Sequence, residues 1–168
     1  KTQARVHLER DRVLMNLKFA RVLITAGPTW VKIDPVRVIS NTATVASGAL
    51  LADALARKGC RVTLLLGPSS AVNVPASVKV VRFRFFEELD ILLNKELRKG
   101  GYDAVVHAAA VSDFIPARTA SRKISSGNKR LDLSLVPAPK LIMRMRAYGK
   151  KRVLIGFKYE PQAGRPLL

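Results

Sequence analysis

Two stretches of this sequence gather polar side chains among small or turn-forming neighbours, where a ligand could be held and worked on. The first is GPTWVKIDPVRVISN, residues 27–41, with Asp34, Arg37 and Asn41; the second is AAAVSDF, residues 108–114, with Asp113. Asn41 carries a side-chain amide that can both donate and accept hydrogen bonds. The alanines before Asp113 allow a ligand to approach the backbone, and Asp113 supplies a carboxylate. Each residue also has a plainer reading. Asn41 can cap a helix starting at residues 42–44, Arg37 can brace its own loop through Asp34, and Asp113 can be a turn residue.

Several chemistries are excluded at this level. A dinucleotide fold needs three glycines in its first strand-to-helix turn and an acid closing the second strand. Here the turn is TAGPTW, with Gly27 alone, and the second strand ends LLLGPSS. His7 and His107 are the only histidines and Cys60 the only cysteine, so no zinc cluster and no internal disulfide framework can be assembled. A G-x-S-x-G nucleophile elbow is also missing.

The elements that would carry these loops follow from short apolar runs rich in Val, Leu and Ile, the mark of buried parallel strands. They are Arg21–Ala26, Arg61–Leu66, Val78–Phe83, Ala104–Ala108 and Arg152–Phe157. Helices are expected at Ala46–Lys58, with Leu50, Leu51, Ala54 and Leu55 facing inward, and at Phe86–Lys99, striped by Leu89, Leu92, Leu93 and Leu97. A third, Lys140–Tyr148, has Pro139 at its opening. The first twenty residues are read as an extension adding a helix. Lys123–Leu135 is read as a β-hairpin turning at Gly127–Asn128, with Leu131, Leu133 and Leu135 alternating.

This pattern predicts an α/β, Rossmann-like three-layer fold with a mostly parallel sheet and a projecting hairpin. Right-handed crossovers give the strand order 3-2-1-4-5, with a crevice above the ends of the first and fourth strands. Both polar loops open there.

The 168 residues suit one domain of ordinary size. Lys and Arg number 30 against 12 Asp and Glu, a formal charge of +18 that raises the prospect of a polyanionic partner. Aromatic residues are only 6%, too few for many base-stacking platforms, so nucleic acid ranks last among partners. RFRFF (82–86) and KRVLIGFK (151–158) interleave cations with apolar residues and read as solvated edges of strands. No apolar run is long enough to span a membrane, and the expected compartment is the cytoplasm.

Taken in order, ITAGPT, IDPVRVISN, AAAVSDF, KISSG, LVPAPK and GF resemble the phosphopantothenate–cysteine ligase family, from about Arg21 to Glu160. The resemblance implies a ligase domain at 21–168, shorter at its C-terminal end than the family pattern, behind the extension at 1–20. It implies joining of phosphopantothenate to cysteine in coenzyme A synthesis, through an acyl-cytidylate made from CTP with Mg2+. It further implies a homodimer in which the hairpin helps to close the site, and a flavin-dependent decarboxylase partner.

Residue by residue, Asn41 resembles the asparagine that contacts the acyl-nucleotide and assists its turnover, and Lys123 the hairpin lysine that reaches nucleotide phosphate. Asp113 resembles the nucleotide-binding aspartate. His107, Ala108 and Ala109 align with a segment packed on the nucleotide. Pro139, Lys140, Leu141 and Ile142 match a later nucleotide segment, with Lys140 where the family has an acid, and Phe157 matches its phenylalanine. Gly27 and Arg37 would bound the phosphate region. Ser125 and Ser126 follow where the family has a further lysine, and Val45 replaces a family glycine, which is expected to disturb backbone amides there if the position needs positive φ. The rival readings are a truncated, catalytically weak nucleotide-binding module and a polyanion-binding protein.

Overall fold

Near-continuous burial of one strand organises the molecule. The structure is a computed structural model that describes residues 5–6, 19–69, 72–127, 129–149 and 152–158. Strand β2 (Arg21–Pro28) is buried at every position after Arg21, as a strand covered on both faces must be. It pairs in parallel with β5 (Arg61–Leu66) and β7 (Ala104–Ala110). β6 (Lys79–Arg82) adds to β5, and β10 (Val153–Lys158) adds to β7. The parallel order β10-β7-β2-β5-β6 is the expected one read from the other edge.

β1 (Arg5–Val6) lies antiparallel on β10. This corrects the expected N-terminal helix for those two residues; the rest of the first eighteen lie outside the described residues.

Helices cover both faces. α1 (Ala46–Arg57) packs on one core with Val22, Ile24, Val62 and Leu64, while α2 (Phe86–Lys99) and α3 (Leu141–Ala147) pack on the other with Leu23, Leu65 and Val105. α2 buries Leu89, Leu93 and Leu97 as its stripe predicts, and ends at Gly100 with φ +69. Acids in its first turn and bases in its last both oppose the helix dipole favourably.

α1 keeps part of its expected face, with Leu51 and Leu55 packed against the core, while Leu50 and Ala54 turn outward. Gly48, Ala49 and Ala52 are buried while Leu50 is 70% exposed. The helix seats its small residues because it approaches β2 so closely that a Cβ on Gly48 would lie 2.3 Å from the Ala26 Cβ. α3 starts one residue late, with Lys140 at its N-cap and Pro139 before the cap rather than inside the first turn.

Two small sheets occupy the loops. Residues 27–41 contain a hairpin, β3 (Trp30–Lys32) against β4 (Val38–Ser40), which buries Val31. The projecting hairpin is β8 (Phe114–Pro116) against β9 (Leu135–Pro137), so the described residues of 123–133 are connecting loop rather than paired strand. Leu131, Leu133 and Leu135 are 40–47% exposed. Asn128, half of the expected turn, lies outside the described residues. No described helix is long and apolar enough to cross a membrane.

Candidate active site

Asn41 and Asp113 follow the carboxyl ends of β2 and β7, Lys123 lies in the loop between β8 and β9, Lys140 caps α3, and Phe157 is in β10. Pairing of β2 with β7 puts Gly27 beside Ala109 and Pro28 beside Ala110. Gly27 has φ +89, and a Cβ there would meet Val45 Cγ1 at 2.6 Å and the Gly67 Cα at 3.3 Å, so only glycine fits. Val45 itself has φ −86 and is buried. The expected disturbance at that position is therefore corrected: no positive φ is required of it.

Asn41 is exposed just beyond β4, and its Nδ2 donates to the Ala110 carbonyl at 3.1 Å. The same carbonyl accepts the Thr29 amide at 3.2 Å. Asn41 is not the cap of α1, because that position belongs to Val45. Its amide plane is fixed across the seam between β4 and β7.

Arg37 and the Lys123 segment meet through a buried carboxylate. Asp34 Oδ1 accepts the amides of Val36 and Arg37, each at 2.8 Å; Oδ2 accepts Arg37 Nη1 at 2.9 Å and the Ile124 amide at 3.1 Å. Arg37 Nη1 also donates to the Ile124 carbonyl at 3.1 Å. Burial alone would raise the Asp34 carboxyl, but the Val36, Ile124 and Arg37 amides and the Arg37 guanidinium outweigh it and hold the group below its usual range. The clamp thus ties the strand leading to Asn41 to the residue following Lys123, whose own side chain is exposed.

Asp113 and Lys140 also come together, Nζ donating to Oδ1 at 2.5 Å, while the Asp113 carbonyl accepts the Ala138 amide. Both side chains are well exposed, so the pair is a removable bridge rather than a structural anchor. Leu141 is core, Ile142 lies over Gly156, and Phe157 is 53% exposed.

His107 is half-buried in β7, and Thr25 Oγ1 lies 2.8 Å from its Nδ1 while accepting the Ala109 amide at 3.2 Å. Burial pushes its pKa from the ordinary 6.5 down to about 4, so the ring is neutral near pH 7. Between those values the unfolded chain binds the extra proton, so stability is full above about 6.5 and declines as pH falls toward 4. Because the ring stays partly open to water, the expected loss is roughly 2–3 kcal/mol over that window. Urea unfolding at several pH values should show it, with the additional slope gone in His107→Gln.

A cleft of about 890 Å³ opens beside Asn41. Its lining includes the apolar Pro28, Trp30 and Pro68 and the charged Arg82, Arg84 and Glu88. It lies over β2, β5 and β6, so of the expected site residues only Asn41 lines it. Arg82, at the end of β6, and Arg84, just beyond it, are exposed on the outermost described strand as expected, and both also line the cleft. The alternation of RFRFF, which buries Phe83 and turns both arginines outward together, is the signal in the sequence. Among the described residues there is no group of three or more His, Cys, Asp or Glu side chains able to hold a metal ion.

Comparison with known proteins sets this geometry in a family context. Residues 17–165 match the family model described as the DNA/pantothenate metabolism flavoprotein C-terminal domain. The chain is 40% identical over 146 residues to the coenzyme A biosynthesis bifunctional protein CoaBC of Thermococcus kodakarensis, covering 86% of this chain and 35% of that protein. The crystal structure of the C-terminal domain of a CoaBC protein superposes with a TM-score of 0.69 at 27% identity, over 83% of this chain and 65% of that one. A Cab2 mutant in complex with phosphopantothenate-cysteine shares the fold, with a TM-score of 0.64 at 19% identity over 80% and 62% of the two chains. The chain spans a little over a third of the length of the curated relatives it matches.

Proposed function

Because the chain belongs to the DNA/pantothenate metabolism flavoprotein C-terminal domain family, we propose that it forms the phosphopantothenate–cysteine ligase site of coenzyme A synthesis. The observation that carries this reading is the Asp34 clamp, which brings the approach to Asn41 and the segment of Lys123 onto one buried carboxylate. The likeness to a CoaBC domain and to a fold that holds phosphopantothenate-cysteine supports it.

The reaction divides into two displacements. A carboxylate oxygen of phosphopantothenate bonds to the α-phosphorus of CTP, and the bond to pyrophosphate breaks. The cysteine amine then bonds to the acyl carbon, the acyl–phosphate bond breaks, CMP departs and the amine loses a proton. Lys123, exposed on its loop, follows the charge as pyrophosphate leaves. Asn41 presents an amide to the acyl group and the incoming amine. Asp113 accepts from the nucleotide after exchanging its bridge to Lys140, with Ala108, Ala109, Pro139 and Phe157 as the surrounding surface. Mg2+ would enter with the nucleotide, since the nearby carboxylates of Asp34 and Asp113 are already paired with Arg37 and Lys140. It supplies charge neutralisation to the triphosphate.

The exposed apolar residues Leu131, Leu133, Leu135 and Val136, with Phe114 on the strand paired to β9, support a homodimer closed by these loops. A flavin-dependent decarboxylase is the proposed partner, and the cytoplasm the proposed compartment.

Incubation with CTP, phosphopantothenate, cysteine and magnesium should release pyrophosphate and CMP in equal amounts. Lys123→Gln should slow pyrophosphate release roughly 10–30-fold, the worth of one charge-assisted contact. Absence of product, with the variant indistinguishable from the parent chain, would overturn the reading.

A further inference from the structure

The cleft beside Asn41 extends away from the proposed nucleotide surface. His107, Asp113, Lys140 and Phe157 lie over or beyond β7 and β10, on one side of β2, whereas Arg82 and Arg84 stand at the end of β6, two strands away on the other side. Neighbouring strands are about 4.8 Å apart, so the arginines stand roughly 10 Å from the end of β2.

An acid substrate with a phosphate at its far end matches that span. From the carboxyl carbon to the phosphorus, phosphopantothenate is about nine bonds long, or roughly 10 Å extended at the reach per bond of a polypeptide chain. Its branched aliphatic middle would rest on Pro28, Trp30 and Pro68, apolar residues of the lining. The charge balance of the cleft favours an anion. Its carboxylate, Glu88, already accepts the Arg84 amide at 2.7 Å and the Phe85 amide at 3.4 Å, and its contact with the Arg84 guanidinium is loose, at 3.8 Å. Arg84 also lies over the Phe85 ring, 5.5 Å from its centroid, and Phe85 packs edge-on against Trp30. A guanidinium steadied against a ring gives up less freedom on binding and offers a planar fork to phosphate oxygens.

We propose that Arg82 and Arg84 form the subsite for the terminal phosphate of the acid substrate, holding its carboxylate end at Asn41. The assignment rests on the ligase reading and adds where that substrate lies and what selects it. It also gives part of the positive charge a local purpose.

Calorimetric titration without magnesium separates the possibilities, using phosphopantothenate, pantothenate and CTP against the parent chain and the double variant Arg82→Gln/Arg84→Gln. The parent should bind phosphopantothenate more tightly than pantothenate. The double variant should lose about tenfold or more for phosphopantothenate, the worth of at least one charge-assisted contact, with pantothenate and CTP unchanged. Arg82→Lys/Arg84→Lys should recover part of the loss, and an unaltered melting temperature in both variants excludes a folding cause. An undiminished affinity for phosphopantothenate would overturn the subsite alone. An equal loss for CTP would overturn it too, assigning the arginines to nucleotide phosphate. A parent chain that binds neither phosphopantothenate nor CTP would overturn the subsite and the ligase reading together.

Discussion

Asn41→Asp is expected to slow CMP release about 10³-fold, the upper range for removing a preorganised donor at a reacting carbonyl, while leaving the first turnover of pyrophosphate largely intact. The change preserves size and replaces a donor with an acceptor. At this position the side chain donates to the Ala110 carbonyl at 3.1 Å, and an aspartate would set two acceptors against each other. The carboxylate would swing from the seam and place negative charge beside the acyl phosphate. A quench-flow experiment should show one pyrophosphate per site, an accumulating acyl-nucleotide and little product. Equal slowing of both steps would assign Asn41 to substrate positioning instead.

Asp34→Ala should reduce both steps, by about 10²-fold, because displacing a catalytic group by an ångström can cost that much. Asp34 is 1% exposed, and its loss leaves the Val36, Arg37 and Ile124 amides without their acceptor and Arg37 without its counter-charge. The Lys123 segment would detach from the approach to Asn41, so the melting temperature should fall as well. Asp34→Asn, able to accept but not to offset Arg37, should lie between the two. The carboxyl is held below its ordinary range, so its contribution to stability is present above that range and is lost as pH falls through the lowered value. The parent's stability advantage over the alanine variant should therefore shrink as pH falls through that lowered value. A split between the two half-reactions separates this effect from that of Asn41.

What could be read from residues alone was the framework. Continuous apolar runs identify strands covered on both faces, and crossover handedness orders them, so β10-β7-β2-β5-β6 follows from pattern and chirality. Family membership followed from six motifs in sequence order. Part of the face of α1 was hidden, because Gly48 and Ala52 carry almost no hydrophobic signal while the prominent Leu50 points outward. β3 and β4 are three residues each, too short for periodicity to detect within a long loop. The alternation of Leu131, Leu133 and Leu135 suggested pairing nearby, whereas β9 pairs with β8, nineteen residues and a loop away by the 116-to-135 register. Arg82 and Arg84 alternate as surface residues do, and only the return of the chain after β2 makes their surface concave. Local pattern records which face a residue takes, but not what stands opposite.

The outermost strand of the sheet has a bearing on how the molecule behaves in a crowded solution. Among the described residues β6 has one neighbour, β5, which leaves the amides and carbonyls on the other flank of Lys79–Arg82 unpaired by them. Val80 and Val81 could nucleate stitching between copies, yet a cation stands at either end of the strand. Two such rims brought edge to edge would set ammonium and guanidinium groups against their own kind, and the encounter would be repelled before backbone bonds could form. The arginine offered to a ligand would thus also keep the margin of the sheet from growing.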